Sequence, residues 1–236
     1  MDTTSSLIPL FDIDWTLLVG KNQAHIDAFR YMFTTVYDEP SASLLEIKPH
    51  GMIDAQIIVE ILKVHGMSEE NSKKNLPNAF SAMNQYYESH ASANDVVKLA
   101  GVDTLLTALK EMHVTMGILS GNIEGMAWNK LEVAGIRQYF SFGVFGDMAL
   151  RRSELVGIAK KRLLEKYGFE IPTDRFVIIG DSSLDIACAK EAGTKSIGVA
   201  TGSSSEDILR EAGADLVVST LESVEEIATF IFPSYV

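Results

Sequence analysis

Cysteine is nearly missing from this chain: Cys188 is the one thiol in 236 residues. No internal disulfide can form, so the fold must rest on its core, and a lone thiol suits a reducing compartment. Cys188 falls in an expected helix, where a small buried thiol is the ordinary reading. Long apolar runs are missing too. The longest fall far short of the ~18 residues of a membrane-spanning helix, and the opening Met1-Asp2-Thr3-Thr4-Ser5-Ser6 has neither the basic flank nor the apolar stretch of a secretion signal. The expectation is a cytoplasmic protein with no membrane partner, a monomer or a homodimer. Basic residues are scarce, 20 against 32 acidic ones, for a net charge of -12. A chain this acidic has no basic stripe for a phosphate backbone, which excludes DNA and RNA as partners. A small anionic substrate stays compatible if a few cations gather locally. His25, His65 and His113 stand at no metal-binding spacing and read as ordinary helix or turn residues.

What is present is a core-sized share of apolar residues, 47%, and one stretch that organises the rest. Leu7-Ile8-Pro9-Leu10-Phe11-Asp12-Ile13-Asp14-Trp15-Thr16-Leu17-Leu18 is a short apolar run that ends in two carboxylates and a hydroxyl. The run reads as a buried strand of a parallel sheet, with Asp12 at its carboxyl end. Residues two apart on an extended chain share a face, so Asp12 and Asp14 can look into one small volume. Two such charges persist together only with a shared cation or with one acid protonated, which suggests a reactive site. An isolated Asp-x-Asp is equally a turn capping the next helix, so the rest of the chain decides.

After Leu18 the spacing turns helical. Helices are expected at 22–37, 41–47, 54–65 and 69–88, with a Pro- and Gly-bearing turn at 48–52, so that 19–97 reads as all-helical. From Val102 helices and strands alternate: helices at 102–112, 124–134, 154–167, 184–192, 206–211 and 222–230, strands at 114–119, 141–145, 176–179, 196–199 and 216–218. Strands separated by single helices mean right-handed crossovers and a doubly wound parallel α/β sheet covered on both faces. The first strand belongs to that sheet. The expected division is a core of 1–18 and 98–236 and an inserted helical domain of 19–97.

Ligands of open parallel sheets bind beyond the carboxyl ends of the strands. Asp12 and Asp14 follow the first strand, Ser120 the second, and Asp181 and Asp185 the strand at 176–179, so all reach one edge. Ser120-Gly121-Asn122 alone is an ordinary turn and Gly180-Asp181-Ser182-Ser183 alone a helix start; their joint placement points to chemistry. Together these residues resemble the haloacid dehalogenase-like hydrolase superfamily. Its Asp-x-Asp-x-Thr motif matches Asp12-Ile13-Asp14-Trp15-Thr16, its strand-closing Ser or Thr matches Ser120, and its Gly-Asp-x-x-x-Asp matches Gly180-Asp181-Ser182-Ser183-Leu184-Asp185. The continuation Ala189-Lys190-Glu191-Ala192-Gly193 is also similar to the family. The family's basic residue at a helix start is assigned to Arg152, with Arg151 as the alternative. A helical insertion directly after the first motif looks like the cap of phosphoglycolate-phosphatase-like members. Trp15 departs from the pattern, standing where the family commonly has Gly, either to narrow the entrance or as core.

The resemblance implies a Mg²⁺-dependent phosphatase acting on a small phosphorylated metabolite. Asp12 would be the nucleophile, as aspartyl-phosphate chemistry requires, and a metal would neutralise the two anions that must approach one another. Asp12 and Asp181 would hold Mg²⁺ with the backbone carbonyl of Asp14, and Asp185 would orient a metal-bound water. Asp14 would be general acid and then general base, a role that favours a raised pKa. Ser120, Gly121 and Asn122 would hold phosphate oxygens, Arg152 would balance their charge, and Thr16 would fix the turn beside them. Lys48, His50 and Gly51, in a turn resembling the substrate loop of related caps, would read the rest of the substrate. Within the family, a phosphomutase of the β-phosphoglucomutase kind uses the same residues. A 2-haloacid dehalogenase needs neither Asp14 nor metal, and phosphonate hydrolysis would need a cap lysine that nothing singles out. A non-enzymatic phosphate-binding regulatory domain would be expected to show a decayed site, whereas this motif set is intact.

Overall fold

The computed structural model describes residues 6–19, 23–49, 51–92 and 96–233. In chain order, β1 (Ile8–Phe11) and a short β2 (Leu18–Val19) precede four helices, α1 (Gln23–Tyr37), α2 (Asp54–Val64), α3 (Glu69–Lys74) and α4 (Leu76–His90). After β3 (Val97–Lys98) come α5 (Val102–Glu111), β4 (Gly117–Leu119), α6 (Glu124–Val133), β5 (Phe142–Val144) and α7 (Glu154–Tyr167). The chain closes with β6 (Phe176–Gly180), α8 (Ser183–Ala192), β7 (Lys195–Val199), α9 (Glu206–Ala212), β8 (Leu216–Val218) and α10 (Val224–Ile231).

Strands β4, β5 and β6 are buried along their whole length, as runs of apolar residues must be when helices cover both faces of a sheet. The six strands lie in the order β5-β4-β1-β6-β7-β8, and every neighbouring pair is parallel. Helices α5, α6 and α10 bury Leu105, Leu106, Leu131 and Ile227 against one face. Helices α7 and α8 bury Leu155, Ala159 and Ala189 against the other, together with the free thiol of Cys188. The chain steps from β1 outward to β4 and β5, then crosses to the other side of β1 for β6, β7 and β8, so the order reverses beside β1. Register sets where the strands end. Phe11 lies level with Ile118 on one side and Ile179 on the other, so the residues that leave the three central strands, Asp12, Ser120 and Asp181, emerge at one edge.

Between β2 and β3, helix α1 packs along α4, and Phe29, Phe33, Met83 and Tyr87 form part of a separate apolar cluster. The Tyr37 hydroxyl ties this cluster to α3 by donating to the Ser72 carbonyl at 2.8 Å. The stretch expected to be all-helical departs from that pattern in three ways. The single helix expected at 69–88 breaks at Asn75, because Pro77 lacks an N–H and sits in the first turn of α4, where that loss is harmless. The helix expected at 41–47 contracts to one 3₁₀ turn, Leu44–Glu46, closed by a reciprocal capping box of Ser43 and Glu46. The two ends of the stretch are joined by an antiparallel ribbon, Leu18 opposite Lys98 and Val19 opposite Val97; strands of two residues carry no periodicity to read. In the core, the strand expected at 114–119 shortens to Gly117–Leu119, since pairing with β1 begins only at Gly117. Among the described residues no helix is long and apolar enough to cross a membrane.

Candidate active site

The site begins where β1 stops. The backbone N–H of Asp12 still donates to Ile179 at 2.9 Å, so its buried side chain is fixed at the sheet edge. The chain then folds back tightly, with the N–H groups of Thr16, Leu17 and Leu18 all directed to the Ile13 carbonyl and that of Trp15 to Leu18. Trp15 takes a left-handed backbone with φ 63°, which is unusual for a bulky residue. The Thr16 hydroxyl is buried with no hydrogen-bond partner among the described residues, so Thr16 holds this turn through its backbone alone. It is absent from the lining of the cavity over the sheet edge.

Arg152, two residues before α7, is buried and reaches back over the sheet. Its Nη2 lies 3.1 Å from Asp12 Oδ1 and 2.6 Å from Asp185 Oδ1, and its Nη1 donates to the Gly51 carbonyl at 3.2 Å. Arg151 instead pairs with Glu154 and Glu191 on the surface. Asp185 is the N3 residue of α8 and accepts from the Ser182 N–H at 3.0 Å and the Ser182 hydroxyl at 2.6 Å, in return for a cap from Ser182. Asp181 accepts from the Ser203 N–H at 3.1 Å. A side chain at Gly202 would meet Asp181 Oδ2 at 1.8 Å, so glycine is required for that approach.

Asp12, Asp181 and Asp185 each present an oxygen within 4.8 Å of the others. Burial is the chief reason that Asp12 is pushed up to about 6 and Asp181 to about 7; Asp185 adds to both, and Arg152 only partly offsets it. Three buried carboxylates and one guanidinium leave a deficit of positive charge, and hard oxygen donors suit a hard divalent cation. The donor set therefore fits such an ion, held by Asp12 and Asp181, with Asp185 already engaged by Arg152 and Ser182.

On the other side, Ser120 follows β4 and is fully buried. Its Oγ accepts from Asn122 Nδ2 at 2.9 Å and from the Asn122 N–H at 3.3 Å, leaving its own O–H to donate. Asn122 Nδ2 also donates to Asp14 Oδ2 at 2.7 Å. Asp14 differs from expectation twice. Its carboxylate lies outside the metal-ligating group, as expected of a residue assigned to the metal through its backbone carbonyl; the first departure is that Lys130 of α6 holds both its oxygens, at 2.9 and 2.8 Å, and donates a third bond to Asn122 Oδ1 at 2.9 Å. Its pKa is lowered, to about 2, not raised: burial pushes it up, but Lys130, His25 and the Asn122 hydrogen bond outweigh that. Lys130 is fully buried and belongs to none of the motifs. A signal for it exists in the sequence, since Ile123, Met126, Ala127, Lys130 and Leu131 form one buried helical stripe in which a lysine is out of place.

A cavity of about 500 Å³ opens above these groups, lined by Asp12, Asp14, Ser120, Gly121, Arg152 and Asp181 on the sheet side. Lys48 and Gly51 line it from the turn before α2; His50 lies outside the described residues. That turn is bolted to the sheet. Asp54 N–H donates to Gly121 O at 2.8 Å, Asp54 Oδ2 accepts from the Ile123 N–H at 3.0 Å, and His25 Nε2 stands 3.4 Å from the same oxygen. A Cβ on Gly121 would sit 2.3 Å from the Met52 carbonyl. Asp54 and His25 are thus further residues of the site; Asp54 ends the 48–54 turn that resembles a substrate loop, whereas no motif or spacing in the sequence marks His25.

The model of the haloacid dehalogenase-like hydrolases matches residues 9–199. The chain belongs to that family. Among curated family relatives, PpaX of Clostridium perfringens, named as a candidate pyrophosphatase, is 27% identical over 80% of this chain and 82% of its own length. A phosphoglycolate phosphatase of Neisseria meningitidis is 26% identical over 62% of each chain. Among solved structures, a predicted phosphatase from Clostridium acetobutylicum superposes with a TM-score of 0.71 over 96% of this chain and all of that one, at 20% identity, a likeness of fold.

The raised acids give the site a pH signature. An acid with a raised pKa in the fold stabilises it fully below its unfolded pKa, about 4, and loses that contribution as pH climbs through 6 for Asp12 and 7 for Asp181. A bound divalent cation supplies the missing charge at the upper end. Magnesium chloride should therefore raise the melting temperature more at pH 8 than at pH 5, and Asp181→Asn should remove most of the pH 8 gain. Equal gains at both pH values would place the cation elsewhere.

Proposed function

We propose that this chain is a Mg²⁺-dependent phosphatase that hydrolyses a small phosphomonoester through an aspartyl-phosphate on Asp12. The observation that carries it is the Asp12 carboxylate, buried at the floor of the cavity between one fixed cation, Arg152, and a second carboxylate, Asp181. The phosphatase names of the relatives support the same reaction class. A Mg²⁺ on Asp12 and Asp181 would draw charge from both the attacking carboxylate and the phosphoryl oxygens.

The chain's own groups divide the remaining work. The Ser120 O–H and the Arg152 guanidinium hold phosphoryl oxygens while an Asp12 oxygen forms the new P–O bond and the ester oxygen leaves. That leaving oxygen needs a proton, and the hydrogen-bonded pair of Asp14 and Lys130 is the proton-bearing unit at the cavity wall. In the second half, water attacks the phosphorus, the bond between phosphorus and the Asp12 oxygen breaks to release phosphate and restore the carboxylate, and Asp14, already an anion, takes the water's proton. The helical stretch 19–97 serves as a cap over this site, with 1–18 and 98–236 as the core.

Two variants test the assignment. Asp12→Asn should retain the melting profile of a folded protein and lose phosphate release by several orders of magnitude, with chelation stopping the wild-type enzyme and Mg²⁺ restoring it. Near wild-type release from Asp12→Asn would remove the mechanism. Lys130→Met keeps the side chain's length and deletes its charge. Turnover should fall roughly 10- to 100-fold, the scale of about 1–3 kcal/mol for a hydrogen bond to a charged group, and the acidic limb of the pH–kcat profile should move upward as Asp14 loses its cation. A lower rate with an unshifted profile would limit Lys130 to packing.

A further inference from the structure

The cavity is two-sided. Its floor carries the charged groups of the proposed reaction, but the opposite wall is hydrocarbon: Ile26 and Phe29 from α1, Leu44 and Ile47 around the 3₁₀ turn, and Met52 and Ile57 at the start of α2. Among the described residues the polar groups on that side are few, and the buried His25 Nε2 makes no hydrogen bond there. His25 and Asp54 face one another, Asp54 also accepts from Ile123, and Lys48 is an exposed residue at the rim. Trp15 completes the wall. Its left-handed backbone leaves the indole 44% exposed at the cavity lining, one residue from Asp14 and close to Gly202 beside Asp181.

A phosphate seated against Asp12 fills only the charged end, and a volume of about 500 Å³ falls in the range of roughly 300–1,000 Å³ found for pockets that enclose a whole organic ligand. What occupies the remainder must lie against Ile, Leu, Met and Phe. Among the described residues that wall carries no buried lysine or arginine, so a second anion there, the carboxylate of a two-carbon acid or another phosphate, would lose water and meet only the His25 ring already beside Asp54. An apolar group gains by the same transfer.

We infer that the substrate is the phosphate monoester of an apolar alcohol or phenol, its ring or branched hydrocarbon packed between Trp15 and the α1–α2 wall. This rests on the phosphatase reading of the same site, and it separates this chain from phosphoglycolate and pyrophosphate, the compounds in its relatives' names, each of which carries two anionic groups. The 2-naphthyl ester should be hydrolysed with a kcat/KM at least roughly tenfold above that of phosphoglycolate or pyrophosphate in Mg²⁺, the scale on which apolar pockets discriminate. Ile26, partly exposed on α1, can be changed with little risk to the core. Ile26→Asp should lower the naphthyl ester's kcat/KM roughly tenfold relative to that of phosphoglycolate.

Calorimetry on the full chain with Mg²⁺ gives a readout that does not need turnover. Benzylphosphonate should bind at least roughly tenfold more tightly than phosphonoacetate, and Ile26→Asp should erase the difference. No phosphate release from any ester, together with tight benzylphosphonate binding, would defeat the phosphatase reading and keep the apolar site. Equal or tighter binding of phosphonoacetate, or a preference that depends on Lys48 and not on Ile26, would overturn the inference.

Discussion

Everything at the sheet edge depends on one unbalanced charge arrangement: three carboxylates taken out of water around a single guanidinium. Arg152 touches Asp12 and Asp185 together, and leaving either acid buried without it would cost far more than the pair gains when intact. The arrangement is tolerable because each acid has a second anchor. Asp185 has the Ser182 cap and Asp181 the Ser203 N–H, and Asp12 sits at the end of the central strand. What stays uncompensated is the space between Asp12 and Asp181, where both acids are held above their ordinary range. A site that is costly to leave neutral and costly to leave charged is one prepared for a cation.

The same guanidinium joins the sheet to the helical stretch. By donating to Gly51 it ties the turn before α2 to the ion pair of Asp12. Asp54 makes a second tie, receiving the Ile123 N–H at the mouth of α6 and giving its own N–H to Gly121. Opening the cavity at this turn therefore breaks bonds to residues next to Asp12 and Ser120. A displacement of this turn would also alter the charge balance at the floor, since both rest on the same few contacts.

Much of this is legible in the sequence, and for a local reason. The apolar runs that form β1, β4 and β6 are short and bounded by polar residues, and parallel register then carries Asp12, Ser120 and Asp181 to one edge without further information. Arg152 over Arg151 is legible only as a preference, since both stand in one turn and burial alone separates them. Lys130 stands out as a lysine in an apolar stripe, but its role is hidden because it is tertiary: it meets Asp14 across 116 positions of chain, and the lowered pKa of Asp14 comes from that contact together with His25 and Asn122, and from no feature of the Asp-x-Asp motif. The β2–β3 ribbon and the break at Asn75 are hidden for a different reason, being shorter than any period.

Trp15 shows how the two halves of the site are linked. A left-handed backbone at a bulky residue persists only where its surroundings over-determine it, and here they do. Its N–H is spent on Leu18, and its carbonyl accepts from Thr201 Oγ1 at 2.5 Å. The loop that supplies Thr201 continues through Gly202, whose missing side chain lets it close on Asp181 Oδ2 and on the Trp15 Cβ alike, and then to Ser203, which donates to Asp181. One loop thus fixes a carboxylate at the charged floor and an indole at the apolar wall. Moving either would move the other, so the proposed phosphoryl position and the proposed hydrocarbon surface are set by a single piece of backbone.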